Sequence, residues 1–231
     1  MADLKDVSVV VTSYNRWNFL KECVNSFNKL TGGHSPFIII EDSAKPQMKA
    51  NIEKEWGNKV QLIFNDKNIG QAASMDKAYS TVNTKYVLHV EDDYKFVSNP
   101  NFIKNSVSIL EERDDVHQIW IRKIENFKVS HGADAPTKLF EQDVCNTKSN
   151  VPYRMVKVRG PWNGFSFMPG IRRIDDWKLF FPNGYVGASK GQKPGVMTEV
   201  SCARHVAQFN YRAALLLNGS CQTTHKNSTY K

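Results

Sequence analysis

Three acids, Glu91, Asp92 and Asp93, directly follow the apolar run Tyr86 to Val90 and precede the apolar pair Phe96 and Val97. That pattern predicts strand, acid turn, strand. Adjacent carboxylates repel one another, so a fold that fixes them at a strand end needs opposite charge there, and a hard divalent cation with oxygen ligands supplies it. A solvated acidic turn is the simpler reading of an isolated charge run. Other polar groups sit in equivalent places and favour a site. Thr12, Ser13, Tyr14, Asn15 and Arg16 follow the run Val7 to Val11, Asp42 follows Phe37 to Ile40, and Asn68, Ile69 and Gly70 form a turn ahead of a helix. Sheets that alternate with helices collect ligands at such strand ends.

The elements that must position these groups alternate strictly. Val7 to Val11 is short, β-branched and apolar throughout, as expected of a strand buried on both faces of a parallel sheet. Phe19, Leu20, Cys23, Val24, Phe27 and Leu30 recur at helical spacing until Gly32 and Gly33 stop them. Strands at Phe37 to Ile40, Val60 to Phe64 and Tyr86 to Val90 are separated by helices at Met48 to Trp56 and Gln71 to Val82. The class predicted is α/β, a mostly parallel sheet flanked by helices on both faces. A helix to Leu110 and a strand near Gln118 to Ile121 follow. Residues 125 to 152 are mixed and polar, which predicts a surface excursion or an extra hairpin. Beyond them the pattern predicts a strand at Tyr153 to Val158, an aromatic and glycine-rich turn from Gly160 to Phe165, and a helix at Arg172 to Phe181. A loop, a helix at Val196 to Asn210, a strand at Ala213 to Leu217 and a polar tail complete it.

Composition limits the rest. The chain has 231 residues, 41% of them hydrophobic, enough for one large domain. No apolar run approaches a membrane span, and the first residues lack the apolar core of a secretory signal, so a cytoplasmic protein is expected. The four cysteines have no metal-type spacing, which argues against zinc. A net charge of +8 suits an anionic partner, such as a phosphorylated substrate or an acidic membrane surface touched peripherally. Neither zinc-finger spacing nor the signature of an RNA-binding sheet is present, so nucleic acid is not expected.

Together, Val7 to Arg16, Asp42, Asn68 to Gly70 and Glu91 to Asp93 resemble the nucleotide-binding half of family 2 glycosyltransferases with the A-type (GT-A, Rossmann-like) fold. The resemblance covers residues 7 to 97 well and about 160 to 226 more thinly. It implies that residues 1–97 bind a nucleoside diphosphate sugar, probed first with a UDP sugar, and that 98–231 bind the acceptor. Thr12 and Tyr14 then face the base, Asp42 accepts a pyrimidine imide N–H, and Arg16, Asn68, Gly70 and Glu91 complete the donor pocket. Asp92 points to the ribose, and Asp93 holds Mn²⁺ or Mg²⁺ on the diphosphate. Glu91 stands where family members often carry aspartate. As plain structure, Thr12 to Asn15 and Asp42 would cap helices, and Asn68 and Gly70 would make a turn.

Counting back from Asn210, Tyr211 and Arg212, which resemble the family's Gly-Tyr-Arg, Thr198 and Glu199 fall on its Glu-Asp pair. Glu199 is thereby the expected catalytic base, in an inverting transfer to an acceptor hydroxyl on a glycan, lipid-linked sugar or protein. Asp175 and Asp176 are a rival pair. An ordinary first-turn helix acid is the alternative for Glu199. His225 stands where the family often has a histidine reaching the metal, and Trp162, Asn163 and Gly164 resemble its acceptor-side loop, the indole offering a face to a sugar ring. A tryptophan buried beside a tight turn is the alternative. Two other classes are carried forward: a noncatalytic glycan- or nucleotide-binding module, and a sugar-phosphate nucleotidyltransferase, which needs a glycine-rich basic loop that Thr12 to Arg16 lacks.

Overall fold

The computed structural model describes residues 4–34, 36–189 and 196–224. Strand β1 (Val7–Ser13) opens the chain and is buried at every residue, consistent with its unbroken apolar run. Helix α1 (Trp17–Thr31) follows and ends at Gly32 in the left-handed region, whose N–H closes on the Asn28 carbonyl. Strand β2 (Phe37–Glu41) leads to α2 (Pro46–Trp56), which starts with proline where its missing N–H costs nothing. Then come β3 (Gln61–Phe64), α3 (Gln71–Tyr79) and β4 (Tyr86–Glu91). The expected alternation through β4 is observed, with ends shifted by a few residues.

The second half is more varied. It comprises β5 (Tyr94–Phe96), α4 (Phe102–Glu112), β6 (Val116–Trp120), α5 (Ile124–His131), α6 (Ala135–Leu139), β7 (Cys145–Asn146), β8 (Pro152–Met155) and β9 (Gly170–Arg173). Helices α7 (Ile174–Phe180), α8 (Gly184–Ala188) and α9 (Val196–Val206) precede β10 (Arg212–Leu216) and β11 (Cys221–Thr223). The polar stretch 125–152 includes the expected extra hairpin, β7 paired antiparallel with β8, and adds two short helices, where Phe127 stacks on Trp120 at 5.7 Å and meets Phe140 edge-on at 5.3 Å. Two other expectations are corrected here. Gly170–Arg173 is a strand, not the start of a helix. Its arginines hide the strand pattern, yet both find partners inside the fold: Arg172 donates to the Tyr185 hydroxyl at 2.8 Å and the Ser166 carbonyl at 3.3 Å, leaving Nε without a partner, and Arg173 pairs with Asp176 at 2.9 Å. The polar tail includes β11, which pairs antiparallel with β5.

One sheet runs β3-β2-β1-β4-β9-β6-β10-β8-β7. β3, β2, β1 and β4 are mutually parallel, β10 lies parallel to β6, and β9 is inserted antiparallel between β4 and β6. The chain winds outward from β1 to β3 and then returns to the other side of β1 as β4, so the strand order reverses beside β1. That reversal opens a crevice at the carboxyl ends of β1 and β4. Alternate β1 residues serve two cores: Val7, Val9 and Val11 pack with α1 residues Leu20 and Phe27, and Val10 packs with Met75 and Tyr79 of α3. Among the described residues no helix is long and apolar enough to cross a membrane.

Two histidines lie inside these layers. His89 is fully buried, and burial, assisted by the Arg172 charge, holds its pKa well below the usual value. His117 stacks on Phe165 at 6.2 Å, and burial with the charges of Arg172 and Arg173 pushes it down to about 3. The unfolded chain takes up a proton on this ring near pH 6.5 while the folded chain does not until about pH 3. Stability is therefore lost as pH falls through that window, by up to about 1.4 kcal/mol per pH unit for one histidine. A His117→Leu variant lacks this term. Urea unfolding at pH 7 and pH 5 is expected to show the stability gap moving in the variant's favour at the lower pH, and a constant gap would contradict the buried neutral ring.

Candidate active site

The carboxyl ends of β1, β2 and β4 are tied together before any side chain is considered. Thr12 is in register with Glu91, and the ladder continues past the strands: Asp92 N–H reaches the Thr12 carbonyl at 3.1 Å and Asp42 N–H the Ser13 carbonyl at 3.0 Å. Thr12 is buried, whereas Tyr14 in the following loop is 50% exposed and free to meet a ligand. Asn15 adopts a left-handed conformation at φ 54° and gives its N–H to Glu41 Oε1 at 3.0 Å. Ser43 N–H reaches the same oxygen at 3.0 Å, so buried Glu41 locks the loops after β1 and β2 together. The sequence reading passed over Glu41. An acid that ends an apolar strand without being its last polar residue was the available signal.

Asp42 is equally committed. Its Oδ1 accepts from the Asn65 amide at 2.9 Å and from Ile69 N–H at 2.9 Å, and its Oδ2 accepts from Gly70 N–H at 2.8 Å. Asn68 Oδ1 also accepts from Gly70 N–H at 2.9 Å. Gly70 sits at φ 85°, a conformation that disfavours any side chain. Asp42, Asn68 and Gly70 thus form one clamp that fixes the turn entering α3, and a base imide N–H would share an Asp42 oxygen with donors already there. Gln71, the first residue of α3, donates to Glu91 Oε1 at 2.8 Å. That contact links the clamp to the acid turn.

In the acid turn, Arg16 is the central cation. Its Nε donates to Asp92 Oδ2 at 3.2 Å, its Nη2 to Asp92 Oδ1, and its Nη1 to Asp93 Oδ2 at 3.4 Å. Burial raises the Asp92 carboxyl to about 6 against the pull of Arg16, with Asp93 adding to the rise. Burial also raises Glu91, followed by repulsion from Asp93, with smaller contributions from Glu199 and Asp92. Asp93 Oδ1 is buried without a hydrogen-bond partner. An orphaned carboxylate oxygen beside two more acids fits a hard divalent cation, which commonly takes one or two carboxylates and completes its shell from phosphates and water. Among the described residues no group of three His, Cys, Asp or Glu side chains is arranged to hold a metal by itself. His225 lies outside the described residues.

Glu199 occupies the first turn of α9, and both of its donors fall on one oxygen. Ser166 Oγ donates to Oε1 at 2.7 Å and Phe167 N–H at 2.9 Å. The Glu199 charge adds a minor contribution to the rise of Glu91, which puts the two carboxylates within Coulombic reach. Ser166 was not anticipated from sequence, since its contact to Glu199 spans 33 residues. The rival acids are elsewhere. β9 runs antiparallel to β4 with Arg173 opposite Tyr86, so Asp175 and Asp176 follow at the end of β4 remote from the acid turn. Asp176 pairs with Arg173, and Asp175 is exposed beside Lys178 at 3.2 Å.

The aromatic turn is largely claimed by the fold. The Asn163 side chain is buried and donates to the Tyr211 carbonyl at 2.7 Å. Gly164 lies at φ 93°, and a Cβ there would meet Ala213 Cβ at 2.7 Å, so no side chain fits. Trp162 gives its indole N–H to the Phe165 carbonyl at 3.1 Å and lies near Trp120, leaving a half-buried ring at the edge of the turn.

The large, mostly parallel sheet flanked by helices is that of the GT-A fold. More particularly, the chain belongs to glycosyl transferase family 2, whose family model matches residues 8–176. An uncharacterized glycosyltransferase of Methanocaldococcus jannaschii is 28% identical over 125 residues, covering 52% of this chain and 42% of that protein. The crystal structure of S. aureus TarS 1–349 superposes with a TM-score of 0.61 at 18% identity, over 94% of this chain and 60% of that one. TarS has also been solved with UDP-GlcNAc. The mannosyltransferase PcManGT of Pyrobaculum calidifontis, in complex with GDP-Man and Mn²⁺, superposes with a TM-score of 0.54 at 13% identity, over 90% of this chain and 53% of that one. The chain thus spans 42% of its M. jannaschii relative and 60% of TarS.

The clamp has a measurable strength. Asp42→Ala leaves Ile69 N–H without its acceptor, while Gly70 N–H keeps Asn68 Oδ1 and the Asn65 amide keeps Ser74 Oγ, an expected loss of about 1–3 kcal/mol. Asp42→Asn keeps one acceptor oxygen and is expected to lose less. Urea midpoints for the two variants test the ranking, and equal midpoints would mean that water replaces the carboxylate.

Proposed function

We propose that this chain is an inverting, metal-dependent glycosyltransferase that moves a sugar from a nucleoside diphosphate sugar, UDP-linked in our reading, to an acceptor hydroxyl. The observation that carries this reading is the acid turn itself, where Asp92 and Asp93 follow β4 at the carboxyl ends of the parallel strands and a buried Asp93 oxygen has no partner. Glu199, within Coulombic reach of Glu91, supports it as base, since donor site and base must share one space for a single displacement. Tyr14 and Thr12 bind the base, Asp42 holds the donor-side turn and shares an oxygen with a pyrimidine imide, and Asp92 takes the ribose hydroxyls. Asp93, assisted by Glu91, would hold Mn²⁺ or Mg²⁺, and when bound such an ion stabilises negative charge on the leaving diphosphate.

On the acceptor side, Ser166 and Phe167 fix Glu199 through Oε1, which turns Oε2 toward the incoming hydroxyl. Glu199 takes the proton there as the hydroxyl oxygen attacks the anomeric carbon from the face opposite the diphosphate. One such step inverts the configuration. Asn163 and Gly164 shape the turn that presents Trp162 to an acceptor sugar. The solved ligand complexes of TarS and PcManGT support a sugar nucleotide as donor.

Calorimetric titration of UDP and GDP, with Mn²⁺ and then with chelator, tests the donor half. Metal-dependent binding of one nucleotide by wild type and its loss in Asp93→Ala are expected, and binding of neither nucleotide with Mn²⁺ present would overturn the reading. For the base, Glu199→Gln is expected to retain nucleotide binding while turnover falls by about 10²–10⁴-fold. An NMR assignment of the product anomer as the same as the donor's would refute inversion.

A further inference from the structure

The contacts of Arg16 go further than charge neutralisation. Its guanidinium makes a two-pronged contact with Asp92 and a longer one, 3.4 Å, with Asp93 Oδ2. The Asp92 side chain is fully buried and cannot move away, whereas the Arg16 side chain is 40% exposed. Arg16 is therefore the partner able to leave. Asp93 has one buried oxygen with no partner and one held only by the longest contact of the set. A divalent cation reaching Asp93 meets the guanidinium on the same carboxylate, and two positive centres within a few ångströms of each other exclude one another.

We propose that Arg16 is a built-in counterion of the acid turn that exchanges with the divalent cation, moving from Asp92 and Asp93 onto the diphosphate as the nucleotide binds. This inference rests on the donor site proposed above. A cation arriving alone displaces Arg16 without giving it a new acceptor. A cation arriving with a nucleoside diphosphate supplies phosphate oxygens that match the guanidinium's planar fork. Metal and nucleotide are thereby coupled through one side chain. By linkage, the factor by which nucleotide tightens metal binding equals the factor by which metal tightens nucleotide binding.

The position of Arg16 in the fold supports such a move. It stands in the loop between β1 and α1, directly after left-handed Asn15, whose N–H is fastened to Glu41. The backbone is thus anchored on one side by a buried carboxylate and on the other by the helix. Only the exposed end of the side chain needs to change place. Neither Asp92 nor Asp93 has another arginine or lysine within ion-pair distance among the described residues, so the exchange has no competing cation.

The test is a titration of Mn²⁺ followed by the electron paramagnetic resonance signal of the free ion, with and without UDP. Wild type, Arg16→Met, Arg16→Lys and Asp93→Ala are compared, each checked for folding by its near-ultraviolet circular dichroism. Without UDP, Arg16→Met is expected to bind Mn²⁺ about tenfold more tightly than wild type, within the usual range of coupling between two sites. The tightening of Mn²⁺ binding by UDP is expected to be large in wild type, intermediate in Arg16→Lys and nearly absent in Arg16→Met. Equal or weaker Mn²⁺ binding by Arg16→Met without UDP, with coupling unchanged, would overturn the exchange and leave the donor site standing. Mn²⁺ binding by Asp93→Ala equal to wild type in the presence of UDP would instead remove the donor site itself. Should Arg16→Met fail to fold, the same comparison between Arg16→Lys and wild type decides the exchange.

Discussion

Like charges fixed at the end of one buried strand, β4, are the constraint on which this molecule turns. β1 and β4 are apolar along their length and lie in parallel register, which forces their polar ends into one small region. Glu91, Asp92 and Asp93 gather there, Asp92 fully buried and the other two half-buried. The Asp92 and Glu91 carboxyls are raised by burial first and by the repulsion of Asp93 after it. Arg16, Gln71 and the backbone clamps around Glu41 and Asp42 are the means by which the fold tolerates it.

Those clamps divide the strand-end acids into two kinds. Asp42 is filled on both oxygens by the Asn65 amide and two backbone N–H groups, and Glu41 takes two backbone N–H groups on Oε1 while its buried Oε2 has no partner; both act as joints between loops. Asp93 retains a buried oxygen without a partner, and Glu199 keeps both of its donors on one oxygen. Residue type alone does not separate these roles, because all four are carboxylates at element ends. What separates Glu41 and Asp42 is that two backbone N–H groups from the surrounding loops converge on each.

This explains how far the sequence could be read. The alternation through residue 97 was legible because strands covered on both faces must be apolar throughout, and helices between them carry a 3.6-residue stripe. Thr12, Arg16, Asp42, Asn68, Gly70 and the acid triplet were legible by their position after such strands. β9 was not, since its two arginines are taken up by hydrogen bonds to the Tyr185 hydroxyl and to backbone carbonyls, mostly from other parts of the chain, and Arg173 by Asp176 as well. α5 and α6 are too short to show a period, and they owe their place to an aromatic cluster around Trp120. The roles of Ser166, Gln71 and Glu41 were hidden for the same reason: each partner is distant along the chain. Asn163 resembled a ligand-side residue and proved to be buried under the Tyr211 carbonyl.

The pairing of β5 with β11 bears on how the protein is made. Thr224 donates both its N–H and its hydroxyl to the carbonyl of Asp93, at 2.9 and 3.0 Å, across 131 residues of chain. Contacts of such long sequence separation form late, because a large loop must be closed before they give anything in return. On the ribosome, β1 to β4 and the acids emerge well before the segment that braces them. The acid turn therefore stays an unbraced, highly charged loop while the 131 residues to Thr224 are made, and it acquires its final shape only once Cys221 to Thr224 have left the exit tunnel.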